Sequence, residues 1–271
     1  KQYMADVHFT GFSVALTAVL KDAGALTPFT PPVVNLEPEV WIGKGIDSIT
    51  DSREVLTWAI GSNFPLIVNT SVVRPEDYPK SYRDLLAPRW KDKIVMVDPT
   101  IPGGGTMLFG LVKDALGLEY WEKIREQNVT VIRDFGEVGR RVAVGESSVA
   151  LGLSDIHIIA YLTAGAPVKL LPAEEGGCRT FSPMYPISNA PNLNASKVLM
   201  NWLLTKEGQE VIVQTLAREP IRKDVGNKAP HPEIDSWKRS QSKWVFGDWK
   251  SIERWDADVA AGTARKVLGL K

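Results

Sequence analysis

The chain has 271 residues, of which 44% are hydrophobic and 24% are charged, a composition typical of folded globular proteins and unlike that of disordered ones. Its 32 basic residues equal its 32 acidic residues, so no net field would draw nucleic acid or an anionic membrane surface to it. The single cysteine, Cys178, cannot form an internal disulfide or a thiolate metal cluster, and the longest apolar runs stop well short of the ~20 residues that a bilayer crossing requires.

The opening sixty residues carry few strand signals. Only Val7–Thr10 and Glu39–Ile42 have the β-rich composition of strands, which is too little for an independent parallel sheet. Either these strands join a sheet that the C-terminal half completes, or the N-terminal part of a larger fold is missing from this sequence. A chain of this length suits one large domain or two lobes.

From residue 65 to residue 171, short β-rich runs alternate with helical stretches, which predicts an α/β protein with a largely parallel sheet. The predicted strands are Pro65–Val68, Lys93–Val97, Val129–Ile132, Ser148–Leu153 and Val168–Leu171. The predicted helices are Thr106–Leu116, Glu119–Gln127, Val138–Val144 and Asp155–Ala164. Each helix ends at a glycine or at the turn-prone Asn128, as helices often do.

Helical periodicity returns after residue 190. Asn194 is the predicted N-cap of one helix, and a second helix is predicted over Gln209–Ala217. The tail from Ala229 is rich in proline, tryptophan and charge, and it ends in a predicted helix over Trp255–Leu268. Its tryptophans are best interpreted as packing groups that fix the tail onto the body of the protein.

The segment Asp98–Thr106 (DPTIPGGGT) runs from a strand end through a glycine-rich turn into a helix. Its free backbone N–H groups and the helix dipole would face whatever lies above the sheet edge, which suits an anion. No lysine follows the glycines, so the segment is not a nucleotide P-loop. The glycines equally suit a tight turn that needs positive φ, and both interpretations stay open.

A serine and an aspartate, Ser154 and Asp155, follow the next predicted strand. They resemble the start of a nucleophile elbow, but Ile156 stands where the second glycine should be. Neither His157 nor His231 has a context that marks it as the base. Hydrolysis by Ser154 is therefore an alternative with little support, and a helix cap that also touches ligand accounts for the same residues.

Metal catalysis is disfavoured, because none of the three histidines has the i, i+4 partner or the HExxH pattern of a zinc enzyme. His157 with Asp155 could join a metal site built from distant segments. For a lone histidine, a structural or solvent-exposed role is the more common one.

Several short sequence segments together resemble those of a known family. They are Tyr78–Ile94 (YPKSYRDLLAPRWKDKI), Val97–Pro99 (VDP), Ala5–Val7 (ADV), Asn69–Thr70 after a strand, Val142–Glu146 (VAVGE), Asn201–Gln209 (NWLLTKEGQ) and Pro220–Val225 (PIRKDV). In this order they resemble the extracellular solute-binding proteins of ABC importers, with the type 2 periplasmic binding fold of family 1, and they are similar to the ferric-ion-binding proteins. The matches span nearly the whole chain.

The resemblance implies two α/β lobes joined by crossover strands, with ligand in the cleft between them. It divides the chain into a partial lobe one (1–68), lobe two (69–180) and a segment (181–271) that returns, completes lobe one and adds C-terminal helices. The outgoing crossover would lie at Pro65–Val73 and the returning one near Thr180–Ile187. Members usually carry a strand, helix and strand before the ADV phrase, so we expect a missing N-terminal segment and a removed signal peptide.

The family also implies a function. We expect a monomeric, non-catalytic receptor without a cofactor, periplasmic or anchored to the surface of a Gram-positive cell. It would close by a hinge over a small polar solute and present it to an ABC permease, without membrane insertion or nucleic-acid binding.

One departure from the ferric-ion-binding proteins concerns the cargo. Those members place two adjacent tyrosines where this chain has Ser154–Ile159 (SDIHII), and Tyr161 has no adjacent tyrosine. Ferric ion prefers anionic oxygen donors, so we expect an organic or phosphorylated anion and keep ferric ion as the alternative. The expected ligand-binding residues are Thr10, Asn69, Gly104, Gly105, Thr106, Ser154, Asp155 and Tyr185.

Overall fold

The computed structural model describes residues 5–9, 19–42, 55–101 and 103–270. Its strands are β1 (Val7–Phe9), β2 (Leu56–Asn63), β3 (Leu66–Asn69), β4 (Ile94–Val97), β5 (Thr130–Ile132), β6 (Val149–Leu151), β7 (Val168–Leu171), β8 (Gly177–Pro186) and β9 (Trp244–Gly247). Its helices include α1 (Pro32–Leu36), α2 (Gly104–Leu116), α3 (Leu118–Arg125), α4 (Phe135–Ala143), α5 (Asp155–Thr163), α6 (Leu193–Leu203), α7 (Lys206–Leu216), α8 (Pro232–Ser240), α9 (Trp249–Ala260) and α10 (Thr263–Leu268).

The chain forms two compact units. Unit 1 comprises Lys1–Gly61 and Thr180–Pro230, and unit 2 comprises Ser62–Arg179 and His231–Lys271. The chain therefore enters unit 2 within β2, before the outgoing crossover that the family resemblance suggests, and it leaves unit 2 within β8.

Unit 1 is built around β1, β8 and β2, which lie side by side in that order. Its buried apolar core combines strand residues with residues of α1, α6 and α7, among them Val33, Leu56, Met184, Met200, Leu204 and Ile212. The predicted strand at Glu39–Ile42 is wrong, because Pro38 opens a short 3-10 helix over Pro38–Val40. Thr10 lies outside the described residues.

Unit 2 contains a five-stranded sheet in the order β5-β4-β6-β3-β7. β4 pairs in parallel with both β5 and β6. β3, however, runs antiparallel to both β6 and β7, so the sheet is mixed and the prediction of a largely parallel sheet is only half right. Every residue of β4 is at most 1% exposed, as expected for a central strand covered on both faces.

The five predicted strands from residue 65 to residue 171 are confirmed as β3 to β7, and the four predicted helices as α2 to α5, with ends shifted by a few residues. The N-cap of α6 is Asn192 rather than Asn194. The predicted terminal helix is in fact two helices, α9 and α10. Gly262 separates them with a left-handed φ of 78°, a conformation that glycine adopts at little cost.

The C-terminal helices pack onto α2 and α3 in unit 2. The ring of Trp255 fills the space beside Gly110, where an added Cβ would lie 2.0 Å from the indole. Trp255 also donates its indole N–H to Asp114, at 2.9 Å. This tryptophan therefore acts as the packing group that the sequence suggested. Among the helices of the described ranges, none is both long enough and apolar enough to cross a bilayer.

The C-terminal segment also covers polar backbone beside the edge strand β7. Glu233 accepts the N–H of Leu170 at 2.8 Å. The side-chain amide of Gln241 accepts the N–H of Ala173 at 3.0 Å and donates to its carbonyl at 2.8 Å. Gln241 thus takes the place of a neighbouring strand. It bonds the backbone N–H and carbonyl of Ala173, which at an uncovered sheet edge could pair with another chain.

We predict that Gln241→Leu lowers the free energy of unfolding by about 1–3 kcal/mol, because it leaves the buried N–H of Ala173 without its acceptor. Urea denaturation of the purified variant measures the change. Gln214→Leu, at an exposed position on α7, is the matched control and should shift stability by no more than about 0.5 kcal/mol. Equal midpoints for the two variants would contradict the role given to Gln241.

Candidate functional site

Three helices begin at one edge of the unit 2 sheet. The parallel registers pair Val97 of β4 with Ile132 of β5, and Met96 of β4 with Leu151 of β6. All three strands therefore end at the same edge, and α2, α4 and α5 start just beyond them. We call the connecting residues 98–101, 103–106, 133–137 and 152–157 the carboxyl edge. Helix N-termini concentrate partial positive charge there.

The three connections are in contact with one another. A Cβ added to Gly104 would lie 2.9 Å from the Phe135 ring and 3.6 Å from the carbonyl oxygen of Gly152. The Phe135 ring in turn stacks on His157 with centroids 4.4 Å apart. The first turns of α2, α4 and α5 are thus packed side by side around Phe135.

The first turn of α2 differs from those of α4 and α5. Asp134 caps α4 by accepting the N–H of Glu137 at 2.8 Å, and Asp155 accepts the N–H of Ile156 at 2.8 Å in α5. No described side chain caps α2, whose N-cap is Gly103 with φ 90°. At α2, therefore, no described residue places a carboxylate on the first-turn N–H groups, of which that of Thr106 already donates to the Ile101 carbonyl.

The glycines of this turn are not equivalent. Gly104 is half-buried, whereas Gly103 and Gly105 are buried. A Cβ on Gly105 would lie 2.1 Å from the carbonyl oxygen of Asp98 and 2.9 Å from the Ile101 side chain. Gly105 thus has a packing reason within the turn, and Gly104 has one against the Phe135 ring, although its backbone is partly exposed.

Thr106 is buried in the same turn. Its hydroxyl donates to the carbonyl of Gly103 at 3.1 Å, and its N–H donates to the carbonyl of Ile101 at 3.2 Å. These bonds hold the turn closed, so the Thr106 side chain fixes the direction from which α2 starts. Direct contact between Thr106 and a ligand stays a prediction.

We predict that Gly105→Ala lowers the free energy of unfolding by about 1–3 kcal/mol, because the added methyl group overlaps the backbone of Asp98. Gly226→Ala is the matched control, since a Cβ there meets nothing within 4 Å, and its stability should change by no more than about 0.5 kcal/mol. Thermal unfolding of both variants provides the comparison. If Gly105→Ala is as stable as the control, the packing role is wrong.

Ser154 and His157 form the N-terminal cap of α5. Nδ1 of His157 accepts the backbone N–H of Ser154 at 3.2 Å and lies 2.9 Å from its hydroxyl oxygen. The hydrolase alternative needs a base close to Ser154, and the sequence alone marked none. The structure places His157 within hydrogen-bond distance of Ser154. Here, however, the pair is three residues apart in one helical turn and its bonds serve the cap, so it does not by itself point to hydrolysis.

Asp155 is fully buried. Its Oδ2 lies 3.1 Å from Nζ of Lys238 on α8 and accepts the N–H of Ser62 at 3.2 Å. The Lys238 side chain is itself only 8% exposed. The carboxylate therefore has protein partners in unit 2, and its direct contact with a ligand or metal stays a prediction.

Asn69 and Tyr185 are not among the residues that form the carboxyl edge. Asn69 ends the antiparallel strand β3, and its N–H donates to Ser148, just before β6 begins, which puts it at the opposite edge of the sheet. Its amide donates to the carbonyls of Val142 and Ala143 at the end of α4. Tyr185 belongs to β8 in unit 1, where it is buried and stacks on His8 with centroids 5.1 Å apart.

Metal-ligating groups are sparse in the described ranges, which hold no cluster of three or more His, Cys, Asp or Glu side chains that could bind a metal ion. Tyr161 donates its hydroxyl to the carbonyl of Gly136 at 2.8 Å. It therefore ties α5 to the start of α4.

Sequence reasoning missed two residues of this arrangement. Phe135 carries a usable signal, because Asp134 followed by Glu137 is the pattern of a helix start. Lys238 carries none, because it lies 83 positions beyond Asp155 and only the fold brings the two together.

Residues 5–252 match the model of a family described as bacterial extracellular solute-binding protein. The chain belongs to this family. The resemblance found in the sequence is therefore confirmed.

Individual relatives extend the comparison. A putative 2-aminoethylphosphonate-binding periplasmic protein of Salmonella typhimurium is 26% identical over 228 residues, which is 77% of this chain. The chain spans 66% of the length of that relative.

Two solved structures share the fold. The periplasmic binding protein AfuA from Actinobacillus pleuropneumoniae, with exogenous fructose 6-phosphate bound, has a TM-score of 0.75 at 18% identity, over 98% of this chain and 82% of its own. Iron-bound HitA from Pseudomonas aeruginosa has a TM-score of 0.67 at 21% identity, over 98% of this chain and 83% of its own. These likenesses confirm the α/β fold of periplasmic binding proteins.

Proposed function

We propose that this protein is the solute receptor of an ABC importer, acting in the periplasm or at the cell surface, and that it binds a small phosphorylated or other organic anion at the carboxyl edge of unit 2. Its partners would be the solute and a permease, and its role would be non-catalytic. The observation that carries the proposal is the meeting of three helix N-termini around Gly104, Phe135 and Ser154.

Backbone geometry supports an anion as the solute. First-turn N–H groups and helix dipoles both favour negative charge. Of the three first turns, that of α2 is the one into which no described side chain brings a carboxylate. Gly104 at the start of α2 is half-buried, whereas Gly103 and Gly105 are buried, so the part of the turn that a solute can reach is at Gly104.

The names of relatives support a phosphorus-containing anion. The Salmonella relative is named for 2-aminoethylphosphonate, and the AfuA structure contains fructose 6-phosphate. Phosphonate and phosphate esters present the same group of negatively charged oxygens, which helix N-termini bind readily. Both compounds are therefore suitable probes.

The binding test uses protein purified without refolding. We predict that 2-aminoethylphosphonate or fructose 6-phosphate raises its Tm, because a ligand at 100 times its Kd stabilises the folded state by about 2.7 kcal/mol. Calorimetric titration then gives the affinity. Gly104→Ala should weaken that affinity at least about tenfold, or 1.4 kcal/mol, because its methyl group would lie 2.9 Å from the Phe135 ring and would displace the side chain around which the three first turns pack.

Gly226→Ala is again the control and should bind as the wild type does. A folded Gly104→Ala variant with unchanged affinity would remove the α2 turn from the site. A wild-type protein that binds neither these probes nor any co-purified anion detected by native mass spectrometry would contradict the proposed solute class.

Ferric ion remains the alternative cargo, since iron-bound HitA shares the fold. Because no adjacent tyrosines occupy residues 154–159, we predict that ferric ion gives neither a visible phenolate charge-transfer band nor more thermal stabilisation than an unrelated protein receives. Absorption spectra during iron titration test this. Tight, stoichiometric binding with a visible band would reverse the choice of cargo, and Tyr161→Phe would show whether Tyr161 is the phenolate.

A further inference from the structure

Phe135 places an aromatic ring at the centre of the carboxyl edge. It is the first residue of α4, and a Cβ added to Gly104 would lie 2.9 Å from its ring. The imidazole of His157 stacks on the ring with centroids 4.4 Å apart and 17° between the two planes. The Phe135 ring therefore lies against the first turns of both α2 and α5.

The start of α4 does not explain why this residue is a phenylalanine. Asp134 caps the helix by accepting the N–H of Glu137, and these two polar residues supply the helix start signal. Packing explains the ring only in part, because Phe135 is half-buried. Among the described residues of the carboxyl edge, the apolar side chains that are not buried are those of Phe135 and Ile156. The edge thus offers a solute apolar surface as well as backbone N–H groups.

Inorganic phosphate and an organic phosphate or phosphonate would use these two features differently. Both can accept hydrogen bonds from first-turn N–H groups through their charged oxygens. Only the organic compound also has C–H groups that gain from contact with an aromatic ring. A phosphate oxygen placed against the ring would lose water without gaining a hydrogen bond. Ligand sites commonly combine aromatic surface with a few polar groups that fix the orientation of the ligand.

We infer that Phe135 is a specificity-determining residue whose ring contacts the carbon skeleton of the solute, so that the carboxyl edge selects organic phosphates and phosphonates over inorganic phosphate. This inference rests on the proposed function and narrows its solute class. It also gives Phe135 a role in addition to packing the three first turns together.

The test compares two substitutions that give side chains of similar size and flexibility. Phe135→Met keeps an apolar side chain at this position, whereas Phe135→Gln places a polar one there. Both remove the ring that stacks on His157, so a loss of packing is common to the two variants. The probes are 2-aminoethylphosphonate, fructose 6-phosphate and inorganic phosphate, each titrated by calorimetry.

We predict that the wild type binds the tighter of the two organic probes at least about tenfold more tightly than inorganic phosphate. Phe135→Met should keep most of this preference, and Phe135→Gln should reduce it to about threefold or less. The affinity for inorganic phosphate should agree between the two variants within about threefold, because that probe has no carbon skeleton to contact residue 135.

A ring that serves only packing gives a different pattern, because the two variants would then lose the same fraction of their affinity for every probe. Phe246→Gln is the matched control, since Phe246 is a partly exposed phenylalanine of β9, outside the carboxyl edge. It should leave all affinities unchanged. Circular dichroism and unfolding midpoints show whether each variant is folded.

Each outcome decides between the claims. A wild type that binds inorganic phosphate as tightly as the organic probes, or equal preferences in folded Phe135→Met and Phe135→Gln, overturns the inference and leaves the proposed function standing. If either variant does not fold, nuclear Overhauser effects in the wild type decide: we expect them between the C–H protons of the bound organic probe and the Phe135 ring, and their absence overturns the inference. A wild-type protein that binds none of the three probes overturns the proposed function and this inference with it.

Discussion

The parallel pairing of β4 with both β5 and β6 is the constraint on which the proposed site depends. It fixes three strand ends at one edge, and each short connection must then turn directly into a helix. Because parallel strands need covering helices on both faces, the same pairing that buries β4 also aligns the dipoles of α2, α4 and α5. Core packing and the geometry of the proposed anion site therefore have one origin in this fold.

Close backbone approach is the second requirement, and it explains the glycines by position. Gly152 has φ 91°, and a Cβ there would lie 2.8 Å from the Val97 side chain. Gly105 meets the backbone of Asp98. Gly104 is also next to a packed group, since a Cβ there would lie 2.9 Å from the Phe135 ring. The glycines therefore allow the three connections to pack closely, and Gly104 is the half-buried one in the α2 turn.

Much of unit 2 could be predicted because its strands are apolar runs bounded by turn residues, but strand direction could not. Composition does not encode whether β3 runs parallel or antiparallel to β6, and that direction decides where Asn69 lies. The antiparallel pairing puts it at the edge opposite Gly104 and Ser154. The strand β2 escaped prediction for another reason, since buried polar residues such as Thr57 and Ser62 interrupt its apolar pattern. The strand β8 was expected only from the family resemblance, as the returning crossover near Thr180–Ile187.

Both local and distant contacts determine the electrostatic character of the carboxyl edge. Its helix N-termini carry partial positive charge on backbone N–H groups that are fixed in place, while its buried carboxylate lies 3.1 Å from a lysine of α8. A site of this kind attracts an anion at short range without the long-range field that a cluster of exposed cations would create. The balance of 32 basic and 32 acidic residues over the chain fits that design. In the proposed site, selectivity would depend on which anion can bring its oxygens within hydrogen-bond distance of the first turn of α2.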